Sequence, residues 1–402
     1  MNKITLTPQK LKGNICVPSS KSVTHRALIC ASLSQNCTVK NVTFSKDIEA
    51  TLNGLKAMGS DFEISGSSVS FKGFNPPKDA VIDAFESGTT LRLLIPIAAA
   101  LEINAVFNGK GRLPLRPLDE YQRIFENKIK FSLTDGHLPL EISGKYTDNT
   151  VYMNGDISSQ YISGMLLCAP LLKKDFSIIL KTQLLSEPYV NITIEVMKAF
   201  GVCVNKTDNG YIIKNQQYRP TDYFCEGDYS AAAFWLCANK MGCDITVDGL
   251  KENSTQGDSK IIDILKEIDS CESIDASQIP DLVPILAVCA CAFEKKTYIY
   301  GCERLKYKES DRIESTVQTI KALGGEAYGD NKSITILGKA LLKGGEIDSF
   351  NDHRIAMSAA IASVICQDEV IINDYNCVDK SYPQFFEHFI KSGGKTNEQQ
   401  LG

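Results

Sequence analysis

Lys21, Ser22, His25 and Arg26 open the stretch "SSKSVTHRALICASL", whose composition predicts a buried helix. Cations in a first helical turn stand at the wrong end of the helix dipole, where anions are favoured. Arg92 in "ESGTTLRLLIPIAAAL" and Arg354 in "NDHRIAMSAAIASVI" occupy the same kind of place. An anion held between N-terminal N–H groups and these cations resolves the conflict. Several such heads converging would make a pocket for a polyanionic small molecule. Three further sites add cations. "GRLPLRPL" carries Arg112 and Arg116 in a Pro-bounded loop, and "CVDKSYPQFF" sets Lys380 in a turn before Pro383. "RLKYKESDRIES" places Lys308 and Arg312 four apart, on one face if helical, beside Glu309 and Asp311.

The elements that must position these groups repeat. Six segments share a short polar or acidic head and a compact Ala/Leu/Ile-rich run. The other three are "SSQYISGMLLCAPLL", "EGDYSAAAFWLCA" and "IPDLVPILAVCACAF". Anchored at Ser22, Ser87, Ser159, Asp228, Asp281 and Asp352, the spacings are 65, 72, 69, 53 and 71. "LKAMGSDFEI", "MKAFGVCVN" and "KALGGEAYG" each end a second helix at a glycine that leads into a strand. Strand-like runs such as "SIILKT", "KTYIYG", "SITILG" and "EVIIND" fill the intervals. Each unit therefore reads strand, helix, strand, helix, strand, strand. The fold class predicted is α/β, six similar units with apolar interior helices and sheets packed outside them.

The bulk composition narrows the function. A net charge of −5, from 43 basic against 48 acidic side chains, opposes a nucleic-acid footprint. The 14 cysteines include no C-x-x-C pair and sit singly in apolar runs, as small buried hydrophobes in a reducing cytosol do. The opening "MNKITLTPQKLKG" has no apolar signal core, and the longest apolar run, from Leu91, is broken by Glu102. A cytoplasmic protein is expected. Asp228 and Asp352 suit helix N-caps. With only four histidines and no ligand spacing among them, His353 reads as a hydrogen-bonded core residue, and no metal site is expected.

The motifs, taken together and in order, resemble the 5-enolpyruvylshikimate-3-phosphate synthase family of enolpyruvyl transferases (3-phosphoshikimate 1-carboxyvinyltransferases). "KSVTHR", "GTTLR", "RPL", "SSQ", "SEPYV", "EGDYSAA", "IPDLV", "KESDR", "NDHRIAM" and "DKSYP" carry the resemblance across nearly the whole chain. It implies a two-domain inverse α/β barrel of six βαβαββ repeats. Residues 1–19 plus 227–402 would form one domain and 20–226 the other, with the active site in the cleft. It also implies a cytoplasmic monomer that needs no cofactor and binds neither nucleic acid nor membrane. The reaction implied is transfer of the enolpyruvyl group of phosphoenolpyruvate to the 5-hydroxyl of shikimate 3-phosphate.

The resemblance assigns roles by motif. Lys21, Ser22 and Arg26 would contact shikimate 3-phosphate, Lys21 touching phosphoenolpyruvate as well. Ser158, Ser159 and Ser186 would hold the shikimate phosphate, with Tyr189 nearby, and Gln160 would touch both substrates. Gly88, Arg116, Arg312, Arg354 and Lys380 would bind phosphoenolpyruvate. Asp281 and Lys308 would meet the ring hydroxyls, Asp281 as proton acceptor. Glu309 and Lys380 are both candidates for the partner in proton transfer, and Lys21 completes the catalytic set. His25 remains a packing or hydrogen-bonded residue beside the site. This chain departs from frequent family residues at Glu86 and Ser87 (Asn-Ala), at Leu93 (Pro) and at Arg304 (Asn). The sister transferase acting on UDP-N-acetylglucosamine would want a cysteine near "GRLPLRPL", and none lies between Cys37 and Cys168. A non-catalytic anion-binding protein would not need Asp281, Glu309 and Lys380 together.

Overall fold

The structure, a computed structural model, describes residues 2–400. The chain forms two compact units, Met1–Pro18 with Gly227–Gly402, and Ser19–Glu226. Ser19 falls in the second unit rather than with residues 1–18. Its N–H donates to Thr43 Oγ1 (3.0 Å), and its hydroxyl accepts from the Thr43 N–H (2.9 Å).

The six apolar runs are six helices: Lys21–Ser34, Gly88–Ala100, Ser159–Cys168, Tyr229–Lys240, Val283–Ala290 and His353–Ala362. They are buried nearly all round, as their lack of a polar face requires. Val283–Ala290 and His353–Ala362 contain no exposed residue. The three runs ending at glycine are amphipathic helices, Lys46–Ala57, Glu187–Ala199 and Arg312–Ala322. The chain turns out of each through a left-handed glycine, Gly59, Gly201 or Gly324.

Among the described residues there are six sheets, five of four strands and one of two. The four-stranded sheets share one pattern. In the first, Asp79–Asp83 pairs parallel with Asn104–Asn108, which pairs antiparallel with His137–Ser143, which pairs antiparallel with Lys130–Thr134. Strand, buried helix and parallel strand, then helix and hairpin, is the βαβαββ repeat. Strands such as Asp79–Asp83 alternate exposed and buried residues, so one face lies on the helices and the other faces outward. The α/β fold with buried helices and sheets outside is the one expected.

Two details depart from six equal repeats. The unit between Asp228 and Asp281 has only a parallel pair, Lys12–Cys16 with Asp244–Asp248, and no hairpin. Its missing strands account for the short spacing of 53 between those anchors. First strands are also exchanged where the chain passes between units. Lys12–Cys16 precedes helix Lys21–Ser34 but pairs with Asp244–Asp248, whereas Tyr223–Phe224 precedes helix Tyr229–Lys240 but pairs with Cys37–Lys40.

One packing device bears on the site. Helix Gly88–Ala100 contains Pro96, which has no N–H to offer the carbonyl of Arg92 four residues earlier. Tyr121 Oη supplies that hydrogen bond at 2.6 Å. The approach is so close that a Cβ at Gly164, on helix Ser159–Cys168, would lie 2.2 Å from Tyr121 Oη and 2.6 Å from the Arg92 carbonyl. Glycine is the residue that leaves room for the phenol.

Candidate active site

The heads of the buried helices carry the polar groups, and each unit assembles its own set. In the unit Ser19–Glu226, Lys21 is the first residue of its helix, which has no side-chain cap and no acidic residue in its first turn. The compensating charge comes from a neighbouring helix: Lys21 Nζ lies 2.8 Å from Asp47 Oδ2. Asp47 sits in the first turn of helix Lys46–Ala57. It escapes a sequence search because an acidic first turn is an ordinary response to the helix dipole.

Arg26, five residues on, is buried, and its guanidinium ties three helices together. Nε donates to Thr193 Oγ1 (2.6 Å), Nη1 to the Ser22 carbonyl (2.7 Å), and Nη2 to Ser163 Oγ (3.2 Å) and the Tyr189 carbonyl (3.3 Å). Burial lowers its pKa to about 10, still far above neutral pH. Ser22, Arg26 and Tyr189 are thus brought together. Ser186 immediately precedes helix Glu187–Ala199 and is buried with φ +56°, a left-handed conformation that serine rarely adopts.

The next two heads interlock. Ser87 caps helix Gly88–Ala100, its Oγ accepting from the Thr90 N–H at 3.1 Å. Ser158 caps helix Ser159–Cys168 by accepting from the Gln160 N–H at 3.3 Å. Gln160 reaches across, Nε2 donating to Thr89 Oγ1 (2.9 Å) and Oε1 accepting from Arg92 Nη1 (2.8 Å). Arg92 Nη2 and Tyr161 Oη both donate to the Pro117 carbonyl, at 3.1 and 2.5 Å. The guanidinium also lies over the Tyr161 ring, 5.1 Å from its centroid. These bonds hold the loop that carries Arg116. The Arg116 guanidinium packs directly on Gly88, where a Cβ would sit 2.5 Å from Nη1.

In the other unit, five expected residues converge. Asp281 lies in the turn Pro280–Leu282 that leads into helix Val283–Ala290. Its Oδ1 accepts from Arg312 Nη1 (2.7 Å) and Lys308 Nζ (3.2 Å), and its Oδ2 from Arg354 Nη2 (3.1 Å). Arg354 Nη1 also donates to the Asp281 carbonyl at 3.2 Å. Arg312 continues to Glu309 Oε2 at 2.6 Å and, through Nε, to Asp352 Oδ2 at 2.8 Å. Burial alone would lower the Arg312 pKa, but the carboxylates of Asp352, Glu309 and Asp281 outweigh it and hold the pKa raised. Asp352 caps its helix as expected, Oδ1 accepting from the Arg354 N–H at 2.9 Å. Asp228 caps likewise, through the Ala231 N–H at 3.0 Å. His353 is buried beside Asp352.

The expectation of Lys308 and Arg312 on one helical face is corrected. The helix begins only at Arg312, because Asp311 caps it through the Glu314 N–H. Lys308 lies before it in extended backbone, and the two cations meet at Asp281 through the loop instead. Lys380 is buried at the end of the 3₁₀ turn Tyr375–Lys380 and donates to the Asn351 carbonyl at 2.7 Å, one residue before Asp352. Arg304 Nη2 donates to the Ser277 carbonyl at 2.8 Å. Asp258, which the motifs did not single out, is buried close enough to Asp281, Arg354 and Asp228 to feel their charges.

Two clusters of cations at helix heads, one held by Asp47 with hydroxyls, carbonyls and an amide and the other by carboxylates, suit binding of phosphates and carboxylates, and the second suits proton transfer as well. The comparisons agree with this chemistry. A family model for EPSP synthase (3-phosphoshikimate 1-carboxyvinyltransferase) matches residues 6–389. A 3-phosphoshikimate 1-carboxyvinyltransferase of Clostridium kluyveri is 42% identical over 425 aligned positions, covering 100% of each chain. One from Clostridium perfringens is 41% identical over 419, covering 98% of this chain and 99% of its own. An EPSP synthase structure from Acinetobacter baumannii superposes with a TM-score of 0.83 over 100% of both chains, at 23% identity, and shares the fold. Full-length relatives at this identity, together with a family model spanning nearly the whole chain, place the protein in the EPSP synthase (3-phosphoshikimate 1-carboxyvinyltransferase) family.

Proposed function

We propose that the protein transfers the enolpyruvyl group of phosphoenolpyruvate to the 5-hydroxyl of shikimate 3-phosphate and releases phosphate. The observation that carries this reading is the Asp281 carboxylate, gathered with Lys308, Arg312 and Arg354 and with Glu309 one guanidinium away. Asp281 accepts the proton of the 5-hydroxyl as that oxygen bonds to C2 of phosphoenolpyruvate. Glu309 and Lys380 are the groups proposed to deliver a proton to C3. The tetrahedral adduct then loses phosphate from C2 and a proton from C3, restoring the double bond. Cations preorganised by buried carboxylates need no rearrangement as charge develops, which is where electrostatic catalysis gains most.

The binding roles follow the same division. Arg312, Arg354 and Lys380 with Gly88 and Arg116 take phosphoenolpyruvate. Ser22, Arg26, Ser158, Ser159, Ser186 and Tyr189 with Asp281 and Lys308 take shikimate 3-phosphate. Lys21 and Gln160 serve both. For Arg26 the hydrogen bonds to Thr193, Ser163, Ser22 and Tyr189 support a positioning share in that work.

All fourteen cysteines are free, and no helix among the described residues is long and apolar enough to cross a membrane. A cytoplasmic monomer is the state proposed. The test is phosphate release from phosphoenolpyruvate with and without shikimate 3-phosphate. Release is expected only when both are present. Equal release with UDP-N-acetylglucosamine as acceptor would overturn the substrate assignment.

A further inference from the structure

His25 is fully buried, one turn below Lys21 on the same helix, and the roles assigned above leave it without a task. Its Nδ1 lies 2.7 Å from Thr51 Oγ1. Thr51 Oγ1 lies 2.6 Å from Thr90 Oγ1, and Thr90 Oγ1 donates to Ser87 Oγ at 2.8 Å. Thr51 and Thr90 are completely buried, and Ser87 nearly so. Thr51 stands one turn below Asp47, the partner of Lys21. Thr90 stands in the first turn of the helix that begins at Gly88. Four side chains therefore lace three helices together, one turn beneath Lys21 and Asp47 and at the first turn and cap of the helix that begins at Gly88.

Hydrogen counting sets the direction of the chain. Each threonine has one hydroxyl hydrogen. Thr90 Oγ1 is placed to donate to Ser87 Oγ or, at 3.4 Å, to the Asp47 carbonyl; with its hydrogen spent on either, Thr51 donates to Thr90 and accepts from His25. That direction puts the ring proton on His25 Nδ1. The same assignment explains His25 Nε2, which is buried with no partner. As a bare lone pair it costs less than an orphaned N–H would. A ring in that state is neutral, in keeping with a pKa held well below the usual value by burial and then by Lys21 and Arg26.

We propose that His25 is a positioning residue which, as a neutral Nδ1–H donor at the start of this chain, sets the distance between the Lys21 ammonium and the helix head at Gly88. Its substrate consequence rests on the function proposed above, in which Gly88 touches phosphoenolpyruvate alone while Lys21 touches both substrates. The chain does not include the heads at Ser158 and Ser186. Breaking it is therefore expected to weaken phosphoenolpyruvate more than shikimate 3-phosphate.

Three measurements test this. ¹⁵N NMR of the full-length protein at pH 7 should show His25 neutral with its proton on Nδ1. A ring protonated on Nε2 overturns the chain, whatever the enzyme's substrate. In steady-state kinetics, His25→Leu should raise the KM for phosphoenolpyruvate roughly tenfold, the scale of a lost buried hydrogen bond. The KM for shikimate 3-phosphate should move far less. His25→Asn, whose amide N–H sits where Nδ1–H does, should recover most of the loss. If Leu matches the wild type, if Asn is as impaired as Leu, or if both KM values rise together, the proposal fails. Should His25→Leu not fold, the nearly isosteric Thr51→Val cuts the same chain and carries the same expectation. The wild-type acceptor requirement reports separately on the function itself.

Discussion

Arg312 Nη1 lies 2.7 Å from Asp281 Oδ1, and the same guanidinium also holds Glu309 and Asp352. A single buried cation thus orients the two carboxylates proposed to take part in proton transfer. Its own place is secured by Asp352, which is fully buried.

Because Arg312 keeps Glu309 and Asp352 when Asp281 is removed, the rest of the cluster should survive that substitution. Asp281→Ala is expected to weaken shikimate 3-phosphate binding only modestly, through one lost ring-hydroxyl contact, and to lose turnover by roughly 10²–10⁴-fold, the usual worth of a general base. Steady-state kinetics with equilibrium binding of each substrate checks this. Turnover within a few-fold of wild type would remove Asp281 from the base role.

Gly88→Ala should raise the KM for phosphoenolpyruvate. The new methyl group would sit 2.5 Å from Arg116 Nη1, and the flexible end of that side chain must move aside. Folding stability should change little, since a long side chain yields more easily than backbone. A thermal melt alongside the kinetics separates the two effects, and an unchanged KM would contradict the placement of Arg116.

Tyr121→Phe should destabilise the protein by about 1–3 kcal/mol, the cost of a buried carbonyl left without its donor. The carbonyl is that of Arg92, which Pro96 cannot satisfy. Denaturant unfolding measures the loss. A stability equal to wild type would mean that the carbonyl finds another donor.

Asp258 sets a pH dependence. Burial, and then the neighbouring Asp281 charge, raise its pKa to about 7, against about 3.9 for an ordinary aspartate. The folded state therefore keeps a proton that the unfolded chain releases. The associated stability is fully present below pH ~4 and is lost as pH climbs toward about 7. Asp258→Asn does not titrate and should gain on wild type as pH rises, on the order of 2–4 kcal/mol between pH 4 and 8. Thermal melts at pH 5 and pH 8 check the sign, and an equal difference at both would refute it.

The six helices, their polar heads and the α/β class were legible in the sequence because they are periodic. An apolar run with no polar face has nowhere to go but the interior, and serine or aspartate at its head is a local signal. Even the shortened unit shows in the spacing of 53 between Asp228 and Asp281. The tertiary structure decided what depends on neighbours distant in sequence. Asp47 as partner of Lys21, Tyr121 as donor to Arg92, Asp258 beside Asp281 and the chain from His25 to Ser87 each join separate elements. Residue types at such positions look ordinary one helix at a time. Only packing, which brings their atoms within hydrogen-bond distance and excludes water, gives them a role.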